Sequence, residues 1–282
     1  MTSPFRQSPL LLLCTGVLFG CGTPAAGVTP AAAPVDAVPV HESFMVESGA
    51  LGEARRINVY TPPSYRAAPP ARNALPVLYM PDGGLDEDFP HVANTVDSLI
   101  ALGVIRPVIV VGIPNTQRRR DLTGPTRVAA DSAIAPRVGG SAAFRRFIRQ
   151  ELMPEIERRY RTTPERAIIG ESLAGLFIVE TFLEEPSLFT HYVALDPSVW
   201  WDKGALVDSA EASLRTFKSE PRTLYLANSD VADIAAGTAR LAAVLRASAP
   251  QGLRWRYEPR PDLTHATIFR ALKPAALVDA LR

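Results

Sequence analysis

Cysteine is nearly absent from this chain: there are two in 282 residues, Cys14 and Cys21, both inside an apolar N-terminal stretch. The remainder therefore has neither a disulfide framework nor a thiol nucleophile nor a zinc–thiolate site. Histidine is scarce as well. His41, His91, His191 and His265 lie far apart, and none stands in an H-x-x-H or H-E-x-x-H pattern, which argues against a metal centre. An excess of one charge is missing too, since thirty Lys and Arg face twenty-nine Asp and Glu for a net charge of +1. Nucleic-acid binding through bulk charge is not expected of such a chain. No internal repeat is visible. What the sequence does have is apolar material, 47% against 21% charged residues, enough for a sizeable core in one large domain or two small ones.

Residues 1–20 carry Arg6, then the apolar run Leu10 to Phe19, then Gly20 ahead of Cys21. This reads as an export signal, because the run is shorter than the ~20 apolar residues a spanning helix needs. Leu18-Phe19-Gly20-Cys21 resembles a bacterial lipobox, which would make Cys21 lipidated and the mature N-terminus; an ordinary secretory signal cleaved nearby is the alternative. Residues 21–40 are rich in Ala and Pro with Asp36 as their one charge, and are expected to be a flexible tether ahead of a domain over 41–282.

Past His41, short β-rich runs alternate with longer amphipathic ones. Strands are expected at Phe44 to Glu47, Arg56 to Thr61, Pro76 to Met80, Val108 to Ile113, Ala167 to Gly170, Tyr192 to Leu195, Thr223 to Ala227 and Leu253 to Glu258. Several are continuously apolar, as strands covered on both faces must be. Phe144, Phe147, Ile148, Leu152, Ile156 and Tyr160 recur at helical spacing with a kink expected at Pro154, and Leu173 to Leu183 and Ile234 to Leu245 read as further helices. Leading strands followed by β-α repetition predict one α/β domain with a mostly parallel sheet and helices on both faces.

Within that pattern Ala167-Ile168-Ile169-Gly170-Glu171-Ser172-Leu173-Ala174-Gly175 is a strand running into G-x-S-x-A-G and an apolar helix. It fits a nucleophile elbow, where a serine on a sharp turn is crowded by the residues two before and two after it, so both must be small. The helix N-terminus behind it offers backbone N–H groups to a developing oxyanion. Serine needs a base, and on such a sheet the order is Ser, then Asp or Glu, then His. His191 and His265 follow Ser172; His191 precedes its strand and so belongs to the opposite sheet edge, leaving His265. For the acid, Asp230, Asp233 and Asp196 all qualify. Asp230, just beyond a late strand, is the first choice; Asp233 also reads as a helix N-cap and Asp196, before Pro197, as a turn residue. A second oxyanion donor is expected from Pro81-Asp82-Gly83-Gly84-Leu85, whose glycines allow close backbone approach.

The stretches Pro76-Val77-Leu78-Tyr79 with Asp82-Gly83-Gly84, Val111-Gly112-Ile113 with Arg120-Asp121-Leu122-Thr123, Phe144 to Thr162, Gly170 to Phe177 and Pro197-Ser198-Val199-Trp200-Trp201 resemble the bacterial esterase family that includes esterase D and the ferric enterobactin esterases. The resemblance runs from about Phe44 to the C-terminus. It implies an α/β-hydrolase fold, a serine carboxylic ester hydrolase without cofactor or metal, and an oxyanion hole from the N–H groups of Gly84 and Leu173. Ser172 and His265 fall on the family's triad positions, Asp230 where an acidic residue is usual, and Asp196 where serine is common.

Trp200 and Trp201 read either as walls of an acyl or aromatic pocket or as packing residues. Arg118, Arg119 and Arg120 read either as cations facing an anionic substrate or as a solvated loop with Arg120 paired to Asp121. The expected function is an exported, lipid-anchored serine esterase acting on small aryl or short-chain esters, with siderophore lactones or acyl transfer as alternatives. A periplasmic binding lipoprotein on the same fold is the non-enzymatic alternative, and the presence of both Ser172 and His265 in order favours the enzyme.

Overall fold

The computed structural model describes residues 36–67 and 74–282. The expected signal segment, Cys21 and the tether as far as residue 35 lie outside the described residues. Eight strands form one sheet among the described residues: β1 (Glu42–Ser48), β2 (Glu53–Tyr60), β3 (Leu75–Pro81), β4 (Ile109–Ile113), β5 (Thr162–Glu171), β6 (His191–Leu195), β7 (Arg222–Asn228) and β8 (Leu253–Pro259). Their spatial order is β1-β2-β4-β3-β5-β6-β7-β8. The pairs β1/β2 and β2/β4 are antiparallel and every other pair is parallel. All eight strands read from the sequence are present. β5 departs most, starting at Thr162 because Thr162 already pairs with Leu75 across an irregularity in register.

The helices are α1 (Pro63–Ala67), α2 (Phe89–Ala101), α3 (Arg118–Leu122), α4 (Ala129–Ala133), α5 (Ser141–Phe147), α6 (Met153–Arg159), α7 (Leu173–Glu184), α8 (Trp201–Leu214), α9 (Ala232–Ser248) and α10 (His265–Leu281). The continuous apolar strands are explained by cover on both faces. On one side Val77, Tyr79, Ile109, Val111, Tyr192 and Leu224 meet side chains of α5, α7, α8 and α9. On the other Leu78, Met80, Val110, Ile169, Val193 and Tyr225 meet α2 and α10. The kink expected at Pro154 appears as a π turn, Ile148–Leu152, between α5 and α6, in which the Met153 N–H reaches back to Ile148 O. Proline has no N–H to continue the ladder, and the wider turn absorbs the break.

Residues 36–40, the described part of the stretch expected to be a tether, make contacts with the domain. Asp36 pairs with Arg270 of α10 at 2.6 Å, and Ala37 O accepts from Asn94 Nδ2 of α2 at 2.7 Å. Residues 36–40 thus lie along two helices of the domain, held by the one charge in the stretch and a single backbone carbonyl.

Candidate active site

The parallel strands β3, β5 and β6 end at Pro81, Glu171 and Leu195, and the residue after each end is a non-glycine with positive φ: Asp82 (54°), Ser172 (60°) and Asp196 (48°). This is the left-handed region, costly for a side chain, and it breaks each strand abruptly at the carboxyl edge, where open α/β sheets bind ligands. Ser172 is held in place by its N–H on Leu195 O (3.1 Å) and by its O, which accepts from Ser198 N–H (3.0 Å) and Leu176 N–H (2.9 Å). The small-residue requirement is geometric. A Cβ added to Gly170 would stand 2.6 Å from Ala174 Cβ, so the methyl at 174 is tolerated only because 170 is bare. Ser172 Oγ lies 3.4 Å from Ser198 Oγ, too long for a strong O–H···O bond.

His265 opens α10, whose N-terminus is fixed by a reciprocal Thr264–Thr267 cap. Its Nδ1 is 2.5 Å from Asp196 Oδ2. Asp196 is fully buried and also accepts from Ser229 N–H (2.6 Å) and Ser229 Oγ–H (2.7 Å). Burial pushes the Asp196 carboxyl up, but the hydrogen bonds from His265 and Ser229 outweigh it and leave the group below its ordinary value. The Asp196 hydrogen bond raises His265 above 6.5, against the opposing effect of burial. With Nδ1–H donated to a carboxylate, Nε2 is the free acceptor.

The expectation that Asp230 partners the histidine is corrected. Asp230 is exposed, and its backbone N–H is bonded to Leu263 O; the carboxylate on the imidazole belongs to Asp196. The cause is in the packing: α10 runs beneath β6 and β7, and the left-handed step at Asp196 ends β6 under the start of that helix. Asp233 is exposed in the first turn of α9, where Val231 rather than Asp233 is the N-cap. His191, at the amino end of β6, bonds Thr223 and Glu165 at the far edge of the sheet, as its place in the chain implied.

The β3 loop sits hard against β4, since a Cβ on Gly83 would lie 2.1 Å from Ile113 N. That close approach holds Gly84 near the strand ends. Its N–H, however, already donates to Glu87 Oε2 at 2.7 Å, and Glu87 also accepts from Asn115 Nδ2 at 2.8 Å. Leu173, as first residue of α7, has no partner for its N–H within the helix. Asp82 is bound by Arg118 through two hydrogen bonds of 2.7 and 2.8 Å.

Arg120 lines a cavity with Arg118 and Arg119, but its guanidinium is already engaged inside the protein. It bridges Glu53 (2.7 and 3.0 Å) and Asp121 (2.6 Å), and Asp121 also holds the fully buried Arg55 at 2.6 Å. Arg120 thus makes the expected pair with Asp121 as part of a larger internal ion-pair network. Trp201 is buried and donates its indole N–H to Gly124 O, whereas Trp200 is 37% exposed. Arg118, Arg119 and Arg137 line one cavity of about 540 Å³. Sequence reasoning passed over Ser198, Ser229, Glu87 and Glu171. Glu171 had a visible signal, a carboxylate set between the apolar run Ala167-Ile168-Ile169 and the serine.

A family model described as "Putative esterase" matches residues 48–241. Ferri-bacillibactin esterase BesA of Bacillus subtilis is 32% identical over 184 residues, 57% of this chain and 61% of that protein. A siderophore triacetylfusarinine C esterase of Aspergillus fumigatus is 29% identical over 194 residues, 64% and 63% of the two chains. The chain thus spans about three fifths of the length of these curated relatives. The crystal structure of an IroE-like serine hydrolase from Shewanella oneidensis superposes with a TM-score of 0.75 at 28% identity, covering 86% of this chain and 78% of that one.

Proposed function

The chain belongs to this esterase family and has the α/β-hydrolase fold, and from that premise we propose that it hydrolyses carboxylic esters through an acyl-enzyme on Ser172. The observation that carries the reading is the buried Asp196 bonded to His265 Nδ1 beside a serine in elbow geometry. Ser172 Oγ adds to the ester carbonyl carbon as its proton passes to His265 Nε2. Asp196 keeps the tautomer and steadies the imidazolium. Negative charge gathering on the carbonyl oxygen meets the Leu173 N–H at the start of α7, joined by the Gly84 N–H once Glu87 yields it. Collapse expels the alcohol with the His265 proton, and water repeats the sequence on the acyl group. Fluorophosphonate labelling of wild type, lost in Ser172→Ala together with at least ~10³-fold of kcat on p-nitrophenyl butyrate, is the expected result. Undiminished hydrolysis by Ser172→Ala would refute the reading.

Small aryl and short-chain esters suit the exposed Trp200 at the β6 end and the exposed Leu85 in the β3 loop. A second reading, siderophore esters, draws on the names of the relatives and on the cavity where Arg119 and Arg137 have no carboxylate partner among the described residues. Guanidinium groups left in that state suit an anionic ligand. A ferric triscatecholate lactone should lose kcat/KM in Arg119→Ala/Arg137→Ala while a neutral aryl ester does not; equal effects on both would discard the siderophore reading.

Export and lipid attachment at Cys21 belong to the same proposal and rest on the apolar run and Leu18-Phe19-Gly20-Cys21. No helix among the described residues is long and apolar enough to cross a membrane. Cys21→Ser should abolish acyl-chain labelling.

A further inference from the structure

Glu171 stands between the last apolar residue of β5 and Ser172, and the mechanism above does not use it. Its carboxylate, a carboxylate oxygen of Asp196 and a ring nitrogen of His265 all lie within 4.8 Å of one another. Glu171 Oε1 is buried and has no hydrogen-bond partner. A group so placed is neither a surface charge nor a satisfied structural carboxyl.

Resting on the serine-esterase reading, we propose that Glu171 is a positioning residue that acts through His265: once ionised, it stabilises the imidazolium formed as Ser172 attacks and so accelerates acylation in alkaline solution. In the transition state positive charge appears on the His265 ring, a nitrogen of which lies within 4.8 Å of a Glu171 carboxylate oxygen. A fixed negative charge at that distance stabilises the imidazolium as it forms. Glu171 neither gives nor takes a proton; the proton still moves from Ser172 Oγ to His265 Nε2.

The groups facing Glu171 set when this happens. Burial pushes its carboxyl up to about 8. His265 from α10 and Arg118 from α3 pull in the opposite direction, and Asp88 ahead of α2 and Asp196 at the β6 end reinforce the rise. Near neutrality the carboxyl is therefore protonated and contributes no charge, and its effect switches on as pH rises through the same range.

The test follows fluorophosphonate inactivation and p-nitrophenyl acetate hydrolysis from pH 6 to 10. Wild type should rise in two steps, the first as His265 loses its proton and the second, several-fold, near pH 8. Glu171→Gln, which is isosteric, should keep the first step and lose the second. Glu171→Asp, which retains the charge, should keep a second step. Two steps surviving in Glu171→Gln, or a single step in wild type, would overturn this role alone. A wild-type protein inert to fluorophosphonate at every pH would overturn the serine nucleophile and this role together.

Discussion

At the scale of single residues, Asp82, Ser172 and Asp196 share one device, a left-handed backbone on a non-glycine directly after a parallel strand. For Asp196 the device decides chemistry. Asp196→Asn should cut kcat by about 10⁴-fold, whereas Asp230→Asn, at an exposed side chain that does not hold the imidazole, should leave it within a factor of about two; steady-state assay of both at equal folded fraction checks this. The sign of the pH effect follows from the same bond. Asp196 raises His265, so the ascending limb of kcat/KM lies above pH 6.5 in wild type, and losing the carboxylate should move it to lower pH. Much at this scale was legible in the chain. Ser172 was marked by Gly170, Ala174 and the strand-helix boundary, and His265 by elimination. Choosing Asp196 over Asp230 was not possible from order alone, because both follow strands at the same edge, and only the packing of α10 against β6 separates them.

Among elements, the loop after β3 holds the least expected arrangement, a carboxylate on a backbone N–H that the esterase reading assigns to an oxyanion. Glu87→Ala should free the Gly84 N–H and raise kcat a few-fold on activated esters, since the oxyanion then has no internal competitor. A fall in kcat would show that Glu87 shapes the loop instead. Elements were the most readable level: all eight strands could be placed because two-sided burial writes itself as runs such as Val108-Ile109-Val110-Val111. Arg118-Arg119-Arg120 was ambiguous for a physical reason, since a guanidinium paired with a distant carboxylate looks the same in sequence as a free one. Folding divides the three, with Arg118 on Asp82, Arg120 on Glu53 and Asp121, and Arg119 on a backbone carbonyl. Because Arg55 and Asp121 are both buried and Arg55 would keep only the longer 3.2 Å pair with Glu53, Asp121→Asn should cost about 3 kcal/mol in denaturant unfolding, the penalty of weakening a buried ion pair on one side.

For the molecule as a whole, two carboxylates bound the pH range of stability from opposite sides. The Arg120 hydrogen bond lowers Glu53 from 4.5 to about 2, against the opposing effect of burial, so its contribution is present above 4.5 and is lost as pH falls through 2. Burial raises Glu171 from 4.5 to about 8, so its contribution is present below 4.5 and is lost as pH rises through 8. Melting temperatures should accordingly fall less steeply toward acid in Glu53→Gln and less steeply toward alkali in Glu171→Gln. The clasp between Asp36 and Arg270 joins residues 234 apart in sequence. A ribosome delivers Asp36 and Asn94 long before Arg270. Residues 36–40 can therefore meet α2 first, through Asn94, and gain the Asp36–Arg270 clasp only once α10 has been made, so a chain truncated before Arg270 lacks the second of these two contacts. A second rise in the protection of that segment from proteolysis would accordingly serve as a timestamp for the arrival of α10.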